Sequence, residues 1–209
     1  GGDSSPAPSP APAPAPVALT CDDTMKTAFK PDADTSVLLV KSFKAGDSLA
    51  LAGTPASPVP PVAGADVCLV KLLVGPGNAG PAGAPSTSSG IGLEVWLPAP
   101  TAWNGIIRAM GSGGWAGGTH ADPLQIGTRP QFVPAMTKGY VVVASDHGHA
   151  QANNGSFAMN PDGTINTVLW QDFAERSLHE MAVKTKALVL AYYGQAQKYA
   201  YWDGFSTGG

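Results

Sequence analysis

The sequence predicts an α/β fold with a mostly parallel sheet, and three stretches carry that prediction. Val141, Val142 and Val143 form a β-branched run of the kind buried on both faces of a parallel sheet. Over residues 172–193, Leu178, Met181, Ala182, Thr185, Leu188, Val189 and Tyr192 fall on one stripe at helical spacing. Lys184 and Lys186 lie off that stripe, and Gly194 is placed to stop the helix. Tyr199, Ala200, Tyr201 and Trp202 then read as a buried strand. Strand, helix and strand in that order make the βαβ unit of a parallel sheet.

At 209 residues the chain is long enough for one main domain. Its net charge of −3 offers no concentrated basic face, which excludes nucleic acid as the expected partner. No apolar run reaches the ~20 residues that span a bilayer. The chain has no initiating Met and no apolar signal core, so any export signal is expected to have been removed. Residues 1–19 are rich in Pro and Ala and cannot form a core. They predict a disordered linker in extended polyproline II form, and the opening Gly1-Gly2 suits a mature bacterial lipoprotein. The expected location is outside the cytoplasm, secreted or periplasmic, with a lipid-anchored outer-membrane form as one version. Residues 20–209 are expected to form the N-terminal part of a catalytic domain.

From Cys21 onward the composition turns globular. Residues 22–30 predict a short helix with Met25 and Phe29 on one face. Residues 36–43 and 67–74 predict two strands joined by a proline-rich loop, and residues 75–90 a second loop. Ile91, Leu93, Val95 and Leu97 alternate, which predicts a half-buried strand. Residues 132–138 predict a helix ended by Gly139. Cys21 and Cys68 are the two cysteines; an even count behind an export-type N-terminus favours a disulfide over two buried thiols. Neither sits at metal-ligand spacing.

The chemistry concentrates at three strand ends. Gly204-x-Ser206-x-Gly208 directly follows the aromatic run and matches the nucleophile elbow of the α/β-hydrolase fold. Such a turn lifts the Ser206 hydroxyl clear of the sheet and aims the Thr207 N–H at a developing oxyanion. The glycine-rich segment 111–118 follows the apolar run Ile106–Ile107, where this fold supplies its second oxyanion donor. A plain flexible loop is the alternative there; a phosphate loop lacks its Lys-Ser/Thr pair. Ser145-Asp146-His147-Gly148-His149 invites a metal or acid–base reading, but a loop held by hydrogen bonds suits it better without a carboxylate cluster. The fold places its catalytic acid and His after the serine in chain order, so both are expected C-terminal to residue 209. Residues 1–209 alone are therefore expected to be inactive.

In combination, Trp103-Asn104-Gly105, Gly111-Ser112-Gly113-Gly114, Ser145-Asp146-His147-Gly148-His149, His179-Glu180-Met181, Tyr192-Tyr193-Gly194 and Gly204-Phe205-Ser206-Thr207-Gly208-Gly209 resemble the tannase and feruloyl esterase family. That family includes bacterial hydrolases of mono(2-hydroxyethyl) terephthalate. The resemblance covers residues 90–209 well and the rest loosely. It implies a secreted serine esterase whose α/β-hydrolase domain is interrupted after the elbow by a large lid, with a structural calcium in that lid and no cofactor within these residues. It also implies Ser206 as nucleophile, Gly114 and Thr207 as oxyanion donors, and a Cys21–Cys68 disulfide. The family commonly carries a cysteine directly before the nucleophile, tied to one beside the catalytic histidine. Phe205 stands there, so that tether is absent.

The expected function is therefore hydrolysis of carboxylic esters of aromatic or hydroxyaromatic acids through an acyl-enzyme on Ser206. Trp115 offers a stacking face for the substrate. The partners are a small-molecule ester and the C-terminal part of the same enzyme, on the same or a separate chain. Two alternatives stand beside this: an esterase for aliphatic or polyester-oligomer substrates, and a non-catalytic secreted binding domain derived from an esterase.

Overall fold

The computed structural model describes residues 2, 4–8, 18–77, 88–110, 117–148, 161–164 and 166–202. Their elements run in the order α1 (Met25–Ala28), β1 (Thr35–Phe43), β2 (Val67–Val74), β3 (Ile91–Pro98), β4 (Ile106–Ala109), a 3-10 turn (Pro130–Phe132), α2 (Val133–Thr137), β5 (Val141–Ser145), α3 (Thr167–Tyr193) and β6 (Tyr199–Tyr201).

The six strands form one sheet in the order β1-β2-β3-β5-β4-β6. The expectation of a mostly parallel sheet is corrected here, because the sheet is mixed. β1–β2, β2–β3 and β3–β5 pair antiparallel, while β5–β4 and β4–β6 pair parallel. The reason is connectivity. Among the described residues no helical crossover lies between β1, β2 and β3, whereas α2 links β4 to β5 and α3 links β5 to β6. Parallel neighbours need such a crossover.

Each face of the sheet is covered. Ile91, Leu93, Val95 and Leu97 of β3 pack with Met181, Leu188 and Val189 of α3. On the other face, Trp96 packs with Phe43, Leu69, Met136 and Val142. The predicted alternation in β3 is real, but the strand is buried along all eight residues instead of half-buried. Its second face lies under α2 and the segment before it, which brings Glu94 and Trp96 into the interior.

The helix α3 begins at Thr167, five residues earlier than the apolar stripe indicates, and ends at Gly194 with φ of 72°. Lys184 does not stay off the buried stripe. It is almost fully buried, with Nζ 2.6 Å from Asp32 and 2.9 Å from Glu180. The hydrogen bond from Lys184 holds the Asp32 carboxyl down at about 2, against a smaller opposing effect of burial.

The expectation of a buried strand at residues 199–202 also needs correction. Tyr199 is 63% exposed and Tyr201 48% exposed. Among the described residues β6 is an edge strand paired only with β4, so its two tyrosines have nothing to pack beneath. Ala200 and Trp202 turn toward the first core cluster.

Cys21 and Cys68 are joined, with Cα atoms 6.0 Å apart. The bond ties the segment before α1 to β2. Close by, the Leu19 N–H donates to the Ala191 carbonyl of α3 at 3.3 Å. No helix of the described residues is long and apolar enough to cross a membrane.

Candidate active site

A parallel arrangement makes strand ends meet. β4 lies between β5 and β6, with Ile107 opposite Val141 on one side and Ala200 on the other. All three strands therefore end at one edge of the sheet. The chain reaches that edge at Met110, Ser145 and Trp202. In open α/β sheets ligands bind in the crevice beyond the carboxyl ends of the strands.

Ser206, Thr207, Gly114 and Trp115 lie outside the described residues, as does His149. What is described is the frame that leads into them. β4 runs to within one residue of the glycine-rich segment 111–116, and the residue after β6 ends one position short of segment 203–209. β6 is held in place from below. The N–H groups of Lys198 and Tyr199 donate to the Gly105 carbonyl at 2.7 and 3.4 Å. Trp103 stacks on Tyr193 with centroids 4.2 Å apart, and the Tyr193 hydroxyl donates to the Pro98 carbonyl at 2.7 Å. Burial pushes the Tyr193 phenol far above its ordinary range, which keeps it a neutral donor.

At the end of β5 the expected hydrogen-bonded loop is present. Asp146 Oδ1 accepts both the Gly92 and the Gly148 N–H groups at 2.8 Å. Ser145 Oγ accepts the His147 N–H at 2.9 Å. His147 sits at φ of 56°, a left-handed conformation that non-glycine residues rarely adopt. Its Nδ1 lies 3.1 Å from Ser177 Oγ of α3, and that hydroxyl donates to the Ala174 carbonyl at 2.9 Å. The Ser177 hydroxyl thus lies within reach of both the imidazole and the Ala174 carbonyl, and the direction of the His147 bond follows the tautomer. Burial pushes the Asp146 carboxyl up to about 7, against the two N–H groups that favour its charged form; Glu94 adds to the rise and Lys71 opposes it. Among the described residues no group of three or more His, Cys, Asp or Glu is placed to hold a metal ion.

Two buried charges form a centre that the sequence analysis passed over. Lys71 of β2 and Glu94 of β3 are opposite each other in register, fully buried, with Nζ 2.6 Å from Oε2. Lys71 also donates to the carbonyls of Thr119 at 3.1 Å and His120 at 2.9 Å. Glu94 accepts the N–H groups of Gly127 at 2.8 Å and Thr128 at 2.7 Å, together with the Thr128 hydroxyl. The pair therefore fastens both limbs of the segment between β4 and α2 onto the sheet. A single charge within each of two apolar runs, Val67–Val74 and Ile91–Pro98, was the available signal. A buried charge has to be paired.

His120 is the third residue the sequence did not single out as buried. It is 5% exposed, and burial holds its imidazole below the ordinary range, with Glu94 opposing and Lys71 assisting. Its ring is flanked by two glycines: a methyl on Gly118 or Gly127 would come within 2.7 Å of it. His120 lines a cavity of about 280 Å³ together with Met110, Ser145 and residues 127–132.

Comparison with known proteins agrees with this frame. The family model described as "Tannase and feruloyl esterase" matches residues 81–209. The Probable feruloyl esterase of Arthroderma benhamiae is 35% identical over 158 residues, covering 74% of this chain and 26% of that protein. The Probable feruloyl esterase B-2 of Aspergillus flavus is 30% identical over 187 residues, covering 87% of this chain and 31% of that protein. Among solved structures, feruloyl esterase B from Aspergillus oryzae aligns with a TM-score of 0.61 at 24% identity, over 87% of this chain and 30% of that one. Tannin acyl hydrolase from Aspergillus niger aligns with a TM-score of 0.54 at 21% identity, over 87% of this chain and 31% of that one. The chain thus spans between a quarter and a third of the length of these relatives.

Proposed function

The chain belongs to the tannase and feruloyl esterase family, and from that premise we propose that it carries the nucleophile of a serine-dependent esterase acting on esters of aromatic or hydroxyaromatic acids. One observation supports this above the others. The parallel trio β5-β4-β6 ends at a single edge, and the segments that continue beyond β4 and β6 are those containing Gly114 and Gly204-x-Ser206-x-Gly208. A nucleophile and its oxyanion donors have to share one small volume, and adjacent parallel strands bring their successor loops together.

In the proposed reaction Ser206 Oγ attacks the ester carbonyl carbon. A histidine supplied by the part of the protein beyond residue 209 takes its proton. Thr207 and Gly114 donate their N–H groups to the tetrahedral oxyanion. The alcohol leaves with a proton returned by that histidine, and water then releases the acid from the acyl-enzyme. The named activities of the relatives, feruloyl esterase and tannin acyl hydrolase, support an aromatic acid as the acyl group. The Cys21–Cys68 disulfide fits a protein that matures in an oxidising compartment.

The test is covalent labelling. A fluorophosphonate probe reacts with a serine only when a base and an oxyanion hole activate it. Treatment of the full-length protein followed by peptide mass spectrometry should place the adduct on Ser206. An adduct on another residue, or none on active protein, would overturn the assignment.

A further inference from the structure

We propose that residues 118–129, between β4 and the 3-10 turn, form a pH-sensitive strap. It stays closed on the sheet while the His120 imidazole is neutral and is released when the ring takes a proton. Three fastenings hold it. On the first limb, the carbonyls of Thr119 and His120 accept from Lys71 Nζ at 3.1 and 2.9 Å. On the second limb, the N–H groups of Gly127 and Thr128 donate to Glu94 at 2.8 and 2.7 Å. At the tip, the Gly53 N–H donates to the Leu124 carbonyl at 2.8 Å. Lys71 and Glu94 are bound to each other, so both limbs hang on one buried ion pair. The His120 ring fills the gap between the limbs. Gly118 of one limb and Gly127 of the other lie so close that a methyl on either would come within 2.7 Å of the ring. Turning that ring outward therefore means parting the limbs.

The closed site has no place for an imidazolium. His120 Nδ1 is buried without a hydrogen-bond partner among the described residues, so a proton there would be an unanswered donor. Lys71 already brings a cation near the ring, and its three donors are committed to Glu94, Thr119 and His120. Glu94 favours the charged ring, but its oxygens already accept from Lys71, from Gly127, and from both the N–H and the hydroxyl of Thr128. Asp146 approaches from the end of β5, where a methyl on Gly92 would touch both its Oδ2 and the Ala121 nitrogen of the strap. Burial raises that carboxyl to about 7, so below neutrality it carries its own proton and supplies little countercharge. The strap's other charges are Asp122 at the tip and Arg129 at its end. Met110, Gln131, Phe132, Ala144 and Ser145, which share the cavity beside the ring, are uncharged. Burial accordingly holds the imidazole below its ordinary range, with Glu94 opposing and Lys71 assisting.

The sign of the effect follows from where the proton goes. A released His120 in water titrates near 6.5. The open strap therefore binds a proton that the closed strap refuses, and closure, complete above about 6.5, weakens as pH falls. Asp146 acts in the opposite sense, because the fold holds its proton and loses it as pH rises through about 7. The two groups leave the strap tightest near neutrality. Its release in acid opens the cavity of about 280 Å³ that His120, Gly127 and Thr128 line. The device is independent of the ester chemistry above.

Amide hydrogen exchange on the full-length protein, corrected for the intrinsic pH dependence of exchange, reads the opening directly. As pH falls from about 7.5 to about 5, exchange at Gly53, Gly127 and Thr128 should rise by up to about 10-fold per pH unit below about 6.5. Amides within β2 and β3 should keep their protection over the same range. His120→Phe retains a ring that cannot titrate and should abolish the rise. His120→Gln, a smaller side chain that also cannot titrate, should abolish it too. Asp146→Asn should leave it in place. A flat profile in the parent protein would overturn the strap without recourse to any variant. So would a rise that survives in either His120 variant, or one that Asp146→Asn removes. Loss of protection in β2 and β3 in step with the strap would mean global unfolding and would overturn it as well.

Discussion

The two halves of the sheet solve different problems. β1, β2 and β3 form an antiparallel half with no helical crossover among the described residues, and the Cys21–Cys68 bond ties the segment before α1 to it. β5, β4 and β6 form a parallel half with α2 and α3 as crossovers, and all their outgoing segments emerge on one edge. The antiparallel half supplies fixed ground through a disulfide, a buried ion pair and two strands, β2 and β3, buried almost throughout. The parallel half supplies the edge on which chemistry can be assembled. The halves meet at β3–β5, where Leu93, Glu94, Val95 and Trp96 pair with residues 142–145. The comparison predicts that damage to the parallel edge removes activity without unfolding the protein, and damage to the antiparallel half does the reverse.

The largest expected effect belongs to the edge. Ser206→Ala in the full-length protein should lower kcat by roughly 10⁴-fold or more, with substrate binding and thermal stability little changed. Steady-state kinetics beside a melting curve checks both parts. An active alanine variant would remove the nucleophile from the parallel half altogether.

Next comes the buried pair. Lys71→Met leaves the Glu94 carboxylate in the interior with only the donors of Gly127 and Thr128. Breaking such a pair costs about 3–5 kcal/mol, measurable by denaturant unfolding. The double variant Lys71→Met/Glu94→Leu should recover part of that stability, since no charge then remains buried. It should not restore the segment between β4 and α2, whose Gly127 and Thr128 N–H groups lose their acceptor. A stable double variant with poor aromatic-ester kinetics would sharpen the division between scaffold and site.

The disulfide ranks third. It closes a span of 47 residues, and loop-closure entropy puts its contribution at about 4 kcal/mol as an upper figure. Cys21→Ser/Cys68→Ser should therefore lose about 2–4 kcal/mol by denaturant titration, while kcat under folding conditions stays near that of the parent. A collapse of kcat in folded protein would show that the antiparallel half does more than support.

Much of this was legible beforehand, and the reasons differ by element. The bounds of β1, to within one residue, and of β2 follow from their apolar runs, and the buried stripe of α3 from its period. The disulfide was legible as the pairing of two cysteines behind an export-type terminus. The parallel direction of β5 and β6 was legible from the helix between them, but the antiparallel pairing of β1, β2 and β3 was not, because alternation says neither which way a neighbour runs nor what covers the strand. β3 illustrates this: its alternation was visible, but the cover over Trp96 and Glu94 comes from residues far along the chain. Lys184 lies off the apolar stripe, and its burial was not legible because one of its two partners, Asp32, is distant in sequence. The elbow and the glycine-rich segment were legible as motifs, but that the strands leading into them are neighbours is seen only in the β5-β4-β6 order.

A pH-dependent effect tests the seam between the halves. Asp146 leaves the end of β5 and reaches across to the Gly92 N–H at the start of β3. Both of its backbone donors, Gly92 and Gly148, go to one oxygen, Oδ1, so Oδ2 can carry a proton without losing either bond. Burial favours that neutral form and raises the carboxyl to about 7. In the unfolded chain an aspartate titrates near 3.9. The folded state therefore holds a proton that the unfolded state has released, throughout the window from about 4 to about 7. The contribution is fully present below that window and is lost as pH rises through it. Asp146→Asn keeps Oδ1 as acceptor and resembles the protonated acid in shape, but it cannot titrate. Its unfolding free energy should lack the decline that the parent shows between pH 4 and 7. The gap between the two should widen in favour of the asparagine variant as pH increases, levelling above about 7. Denaturant titrations at half-unit pH steps would resolve this. Parallel pH profiles for the two proteins would mean that Asp146 is ionised in the fold, with its two N–H bonds outweighing burial.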